Sequence, residues 1–257
     1  MAFLTVDFHS DVLGMGMTMN VILPQSATTA IGIASSDCVK CKTLYLLHGL
    51  SDDHTIWSRR TSIERYVSGK NLAVVMPCAH KSWYTDMAVG DRYFEYISKE
   101  VPSICRGMFR QMSSAREDNF IAGLSMGGYG AVKIALTYPE SFAGCAGLSG
   151  AYDIEKRYGY GDAEYRRMET IFGPKENFAK SVNDVYSLAG SLAKTEKEKP
   201  RIFLWCGTED SLLSDTQKLS DILADGGYEF VSNSSRGTHE WSCWDREIGN
   251  AIEFFGI

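Results

Sequence analysis

Asn119-Phe120-Ile121-Ala122-Gly123-Leu124-Ser125-Met126-Gly127-Gly128 is the stretch on which the reading of this 257-residue chain turns. The run up to Ala122 has the apolar character of a buried strand end, and Tyr129 to Tyr138 reads as a helix stopped by Pro139. A G-x-S-x-G pattern between strand and helix is a sharp turn that presents the serine side chain outward. Gly123 and Gly127 fit because side chains flanking so tight a turn would clash, and Gly128 eases the approach further. An ordinary Gly-Ser turn shares these five residues, and only partners elsewhere in the chain separate the two.

A serine hydroxyl is a weak nucleophile until a base takes its proton, and imidazole, titrating near pH ~6.5, is suited to do so. His9, His48, His54 and His80 precede the serine, which leaves His239 in the chain order serine, acid, histidine. His239 lies in Ser235-Arg236-Gly237-Thr238-His239-Glu240-Trp241, after a strand-like Tyr228 to Ser232 and before a helix around Trp244 to Phe255. The acid follows Arg201-Ile202-Phe203-Leu204-Trp205-Cys206, an apolar run bounded by Pro200 and Gly207 and too short for a helix. Its exit, Gly207-Thr208-Glu209-Asp210, offers two carboxylates. The shorter Asp210 is assigned because an orienting carboxylate must sit rigidly beside the imidazole, with Glu209 in reserve. The plainer alternatives are a helix cap for Asp210 and a surface loop residue for His239.

A tetrahedral intermediate needs donors aimed at its negative oxygen. The first donor is the backbone N–H of Met126, which follows the serine. The second comes from Gly49-Leu50-Ser51-Asp52-Asp53, the loop after the strand Thr43-Leu44-Tyr45-Leu46-Leu47-His48. In strand–turn–helix serine enzymes an H-G-x segment there offers the amide of the residue after the glycine, here Leu50. His48 is read as a structural brace for this loop.

With those residues in place, the chain resembles the α/β-hydrolase esterases of the esterase D, S-formylglutathione hydrolase and bacterial tributyrin esterase group, the last branch most of all. This group also takes in feruloyl and acetylxylan esterases and mycolyltransferases. The likeness runs through Val21-Ile22-Leu23-Pro24, Leu46-Leu47-His48-Gly49-Leu50, Ser82-Trp83-Tyr84-Thr85-Asp86, Gly123 to Gly128, Gly207 to Asp210 and Gly237-Thr238-His239-Glu240-Trp241. It implies an α/β-hydrolase fold, hydrolysis of short acyl esters, no cofactor and frequent homo-oligomers. One departure is Leu50-Ser51-Asp52-Asp53-His54, where the S-formylglutathione branch carries a Leu-Thr-Cys-Thr-Asp type segment. That difference argues against glutathione thioester hydrolysis.

Length and 44% hydrophobic content suit a single α/β domain over residues 1–257, with a mostly parallel sheet covered by helices on both faces. The N-terminus differs, suggesting antiparallel strands near Leu4 to Phe8 and Thr18 to Leu23 around Gly14-Met15-Gly16. The segment 149–200 is far longer than the usual loop of about 4 to 6 residues and is read as a small helical cap insertion. Its Tyr152, Tyr158, Tyr160, Tyr165, Phe172 and Phe178 either line an acyl pocket or, the preferred reading, anchor the insert. Trp57, Trp83, Tyr84 and Trp241 are candidates for the pocket border.

A formal charge of -6 argues against nucleic acid and anionic membranes, which leaves a small-molecule ester as partner. The N-terminus lacks a basic segment and a long apolar core, so no signal peptide is expected. Seven cysteines cannot all pair, in keeping with reduced thiols in the cytoplasm. Cys38-Val39-Lys40-Cys41 precedes a strand and has no second pair, so it is read as inert and no metal is expected. The alternatives are a feruloyl or carbohydrate acetyl esterase, a related acyltransferase, and a non-catalytic α/β-hydrolase-fold binding protein. The last conflicts with a complete Ser125, Asp210, His239 set.

Overall fold

In β3 (Lys42–Leu47) the side chains of Tyr45 and Leu47 enter one hydrophobic core while Leu44 and Leu46 enter another. β4 (Leu72–Pro77) repeats the division, with Ala73 and Val75 on the first side and Leu72, Val74 and Met76 on the second. Both faces of these strands are covered, which is why they read as unbroken apolar runs rather than as alternating patterns. The computed structural model describes residues 1–26, 29 and 40–257. Among these, eight strands make one sheet, the others being β1 (Ala2–Ser10), β2 (Met15–Leu23), β5 (Asn119–Leu124), β6 (Gly144–Leu148), β7 (Arg201–Gly207) and β8 (Phe230–Ser235). Cys38 and Val39 of the C-x-x-C segment lie outside the described residues.

The strand order is β1-β2-β4-β3-β5-β6-β7-β8. β1 pairs antiparallel with β2, and β2 antiparallel with β4, as the N-terminal pattern predicts. All other pairs are parallel. From β3 the chain steps outward to β4 and then returns to the other side as β5. The crevice between the carboxyl ends of β3 and β5 is therefore a topological switch point, where ligands bind in open α/β sheets. Register levels the exits of four strands: Leu47 pairs with Gly123, Leu124 with Leu148, and Leu148 with Trp205.

The first face is covered by the helices Val101–Met108, Met126–Thr137, Val185–Ala193 and Leu213–Asp225. The second is covered by Ile56–Arg60, Ile63–Tyr66 and Trp241–Phe255. Val185–Ala193 thus joins the helical layer itself, packed beside Met126–Thr137 and Leu213–Asp225. The rest of the 149–200 segment holds Ile154–Arg157, Asp162–Phe172 and a short 3-10 turn at Lys175–Asn177. Two helices begin three residues before the sequence boundaries: Met126 rather than Tyr129, and Trp241 rather than Trp244. The turn after β5 is so sharp that the helix starts at the residue after Ser125. Among the described residues no helix is long and apolar enough to cross a membrane.

Candidate active site

Ser125 stands between β5 and the helix Met126–Thr137 with φ 53° and ψ -117°, a conformation costly for a residue with a Cβ. The surroundings enforce it. Its N–H donates to Leu148 O at 2.9 Å, and its carbonyl accepts from Tyr129 N at 3.0 Å and Ala151 N at 3.3 Å. A Cβ on Gly123 would lie 2.4 Å from Gly127 O, and one on Gly127 would lie 2.5 Å from Leu47 O and 2.6 Å from His48 O. Only glycine permits those approaches, and they bring the elbow against the loop after β3. Met126 is the first residue of its helix, where backbone N–H groups have no intrahelical acceptor.

Asp210 and His239 leave β7 and β8, which are held in register up to Gly207 and Ser235. Two further bonds lock their loops together, Thr208 N to Ser235 O at 2.9 Å and Glu209 N to Gly237 O at 3.0 Å. Asp210 Oδ2 lies 2.8 Å from His239 Nδ1, with the carboxylate wholly buried and the imidazole about one-third exposed (0% and 37%). Asp210 Oδ1 accepts from Leu212 N at 2.9 Å. Burial opposes charge on Asp210, but the bonds from His239, Leu212 and Ser149 outweigh it and hold the carboxyl below its usual range. Glu209, the reserve acid, instead points out toward Arg236 Nε at 3.3 Å.

Two residues at this site escaped the sequence reading. Ser149, at the exit of β6, is fully buried with φ 48°, and its Oγ accepts from Trp244 Nε1 at 3.1 Å. The Trp244 ring meets the His239 ring edge-on, centroids 4.8 Å apart. Ser149 follows Leu148, whose carbonyl holds Ser125 N–H, so a chain of contacts runs from His239 to the elbow. Apolar periodicity carries no trace of such a path. A serine directly after a core strand is the one available cue.

The loop after β3 is held from below. Trp57 Nε1 donates to Leu47 O at 3.0 Å and Tyr84 O–H donates to His48 O at 2.9 Å. His48 Nε2 accepts from Ala79 N at 2.9 Å, which assigns the ring proton to Nδ1, 2.7 Å from Gly49 O. His48 is the expected brace. Burial, only partly offset by the Gly49 carbonyl, lowers its pKa from 6.5 to about 4. Between those values an unfolded chain binds a proton that the folded chain refuses, so stability falls as pH drops and levels off once the folded imidazole also titrates. The full loss is about 3 kcal/mol. Urea unfolding at pH 7 and pH 5 should show most of it, and His48→Gln should flatten the dependence. Equal slopes in the two proteins would count against this assignment.

Trp57, Trp83 and Tyr84 are buried core residues, so of the four candidates for the pocket border only Trp241 is partly exposed. In the 149–200 segment, Tyr152, Tyr158, Phe172 and Phe178 are buried, Tyr165 packs against them and Tyr160 is exposed. Phe172 contacts the rings of Trp83, Tyr129 and Phe178. All of these aromatics but Tyr160 pack the 149–200 segment onto the body of the fold, the preferred of the two sequence readings.

A serine on a strained strand-to-helix turn, and an Asp–His pair on the same carboxyl edge of a mostly parallel sheet, define the class: an α/β-hydrolase of the serine esterase kind. The sequence profile of the esterase family described as "Putative esterase" matches residues 10–255, and the chain belongs to that family. It is 31% identical over 261 residues to an acetyl esterase of Caldicellulosiruptor saccharolyticus, covering 99% of this chain and 98% of that one. Among solved structures it resembles FphF, a fluorophosphonate-binding serine hydrolase of Staphylococcus aureus, with TM-score 0.87, 34% identity and coverage of 99% and 98%. It also resembles the S-formylglutathione hydrolase FrmB of Staphylococcus aureus, with TM-score 0.85, 34% identity and the same coverage of 99% and 98%. The protein is an esterase D-like serine esterase, a carboxylic ester hydrolase.

Proposed function

We propose that Ser125 is the nucleophile, His239 the general base and Asp210 its orienting carboxylate, with the amides of Leu50 and Met126 as oxyanion donors. The observation that carries this is the 2.8 Å Asp210–His239 bond on the edge of the sheet that also carries the strained Ser125 turn. Asp210 accepts from Nδ1, leaving Nε2 free to take the Ser125 proton as Oγ attacks the acyl carbon. The imidazolium then gives that proton to the departing alkoxide. Water repeats the sequence on the acyl-enzyme, releasing the carboxylic acid and restoring Ser125.

The substrate is a short-chain acyl ester, in line with the acetyl esterase relative and with the tributyrin esterase branch suggested by the motifs. The 149–200 segment starts at the elbow, where Ala151 N meets Ser125 O, and acts as a partial cap. Buried thiols at Cys78, Cys105, Cys145, Cys206 and Cys243 suit a cytoplasmic enzyme, and the family likeness suits a homo-oligomer. The FrmB likeness favours one second reading, a glutathione thioesterase, against which the Leu50 to His54 segment speaks.

One equivalent of a fluorophosphonate should label the peptide that bears Ser125, as read by mass spectrometry. In a panel from acetate to decanoate with feruloyl esters, sugar acetates and S-formylglutathione, acetate and butyrate should lead in kcat/KM. Label on another residue would sink the nucleophile assignment; S-formylglutathione leading the panel would replace the substrate class.

A further inference from the structure

Trp83 and Tyr84 are consecutive residues with positive φ, 54° and 51°, in the loop after β4. Such values in two bulky aromatic residues are costly and persist only where surrounding contacts hold them. Both side chains are fully buried. Tyr84 lies between two elements: a Cβ on Gly130, in the helix that begins at Met126, would stand 2.5 Å from the Tyr84 ring, and its hydroxyl reaches His48 O at 2.9 Å. Burial keeps the phenol protonated, so the O–H is the donor.

With Trp57 on Leu47 O and His48 Nδ1 on Gly49 O, three successive carbonyls each accept from a side-chain donor. Gly49 C=O and Leu50 N–H share one planar peptide group and point in opposite directions. The His48 Nδ1 bond to Gly49 O therefore fixes where the Leu50 N–H points, and Tyr84, through His48 O, fixes the peptide plane just before it.

Building on the assignment of Leu50 and Met126 as oxyanion donors, we propose that Tyr84 is a positioning residue. Wedged between the Met126 helix and the Leu50 loop, it sets the separation and direction of the two amides. Its role is exercised when charge develops on the substrate oxygen, so its loss should slow turnover without weakening ground-state binding.

Tyr84→Phe keeps the ring that fills the space beside Gly130 and removes only the bond to His48 O. Per site titrated with a fluorophosphonate, kcat on a chromogenic acetate should fall about 10- to 100-fold with KM within about twofold, a fraction of what deleting a whole donor costs. Affinity for a trifluoromethyl ketone, which forms a tetrahedral oxyanion adduct, should fall by a similar factor. Gly130→Ala, which crowds the ring but leaves the hydroxyl, should act in the same direction. A purely structural role would lower the titrated fraction and leave kcat per site and ketone affinity unchanged, and that result overturns the proposal. Ser125→Ala assayed alongside separates the levels: if it is inactive while Tyr84→Phe is normal per site, only the clamp fails; if it stays active, the underlying site assignment fails.

Discussion

Ser125→Ala should reduce kcat/KM on a chromogenic acetate or butyrate ester by about ten-thousand-fold or more, while the protein folds as before. Removing the nucleophile of a triad leaves only oxyanion stabilisation and binding, because base and orienting acid have nothing to act upon. Folding should survive because the elbow is held by backbone groups: Ser125 N to Leu148 O, and Ser125 O to Tyr129 N and Ala151 N. Alanine keeps all three bonds and the same φ of 53°. Steady-state kinetics with circular dichroism and a melting curve decide the matter. Activity within tenfold of the parent in a folded variant would mean that another group attacks the ester.

Asp210→Asn should lower kcat by roughly a thousand- to ten-thousand-fold while the protein still folds. The carboxylate is buried and accepts from His239 Nδ1, so in the proposed mechanism it would hold that proton in place and stabilise the imidazolium formed as Ser125 is deprotonated. An amide has nearly the same shape and can still accept from Leu212 N, but it brings no charge. When its NH2 faces the ring it selects the tautomer whose Nε2 carries the proton and cannot act as base. Burial opposes the charge on Asp210, but its hydrogen bonds, that from His239 foremost, hold the folded carboxyl below its usual range. Its stabilising contribution is present above the usual carboxylate range and lost as pH falls through the lowered value. Unchanged kcat in Asp210→Asn would return Glu209 to consideration.

The strand-to-helix turn at Gly123 to Gly127 is legible without coordinates because its requirement is local. Two glycines two residues either side of a serine meet the steric demand of a sharp turn, and the approaches of 2.4 Å and 2.5 Å that a Cβ would make there express the same demand in space. The parallel core is equally legible, since strands buried on both faces are apolar along their length, as in β4 and in β5 after Asn119. Helix starts are less so. Met126 and Trp241 begin helices without side-chain caps, and their positions follow from how tightly the preceding loops turn.

Between Asp210 and Glu209 the sequence supports a preference but holds no deciding fact. Adjacent carboxylates have the same local context, and only the pairing of β7 with β8 shows which one turns inward to His239. Tyr84 sits in the Ser82 to Asp86 segment of the family likeness, yet neither its bond to His48 O nor those of Trp57 to Leu47 O and Trp244 to Ser149 Oγ can be read there, since a side-chain hydrogen bond between segments leaves no periodicity. The fold class, the turn at Ser125 and the order of the proposed serine, acid and histidine can be read along the chain, because turn sterics and apolar patterning act between near neighbours. Which carboxylate meets the imidazole, and which buried donors hold the loop after β3, emerge from the folded chain alone, because those contacts exist only once distant strands are brought into register.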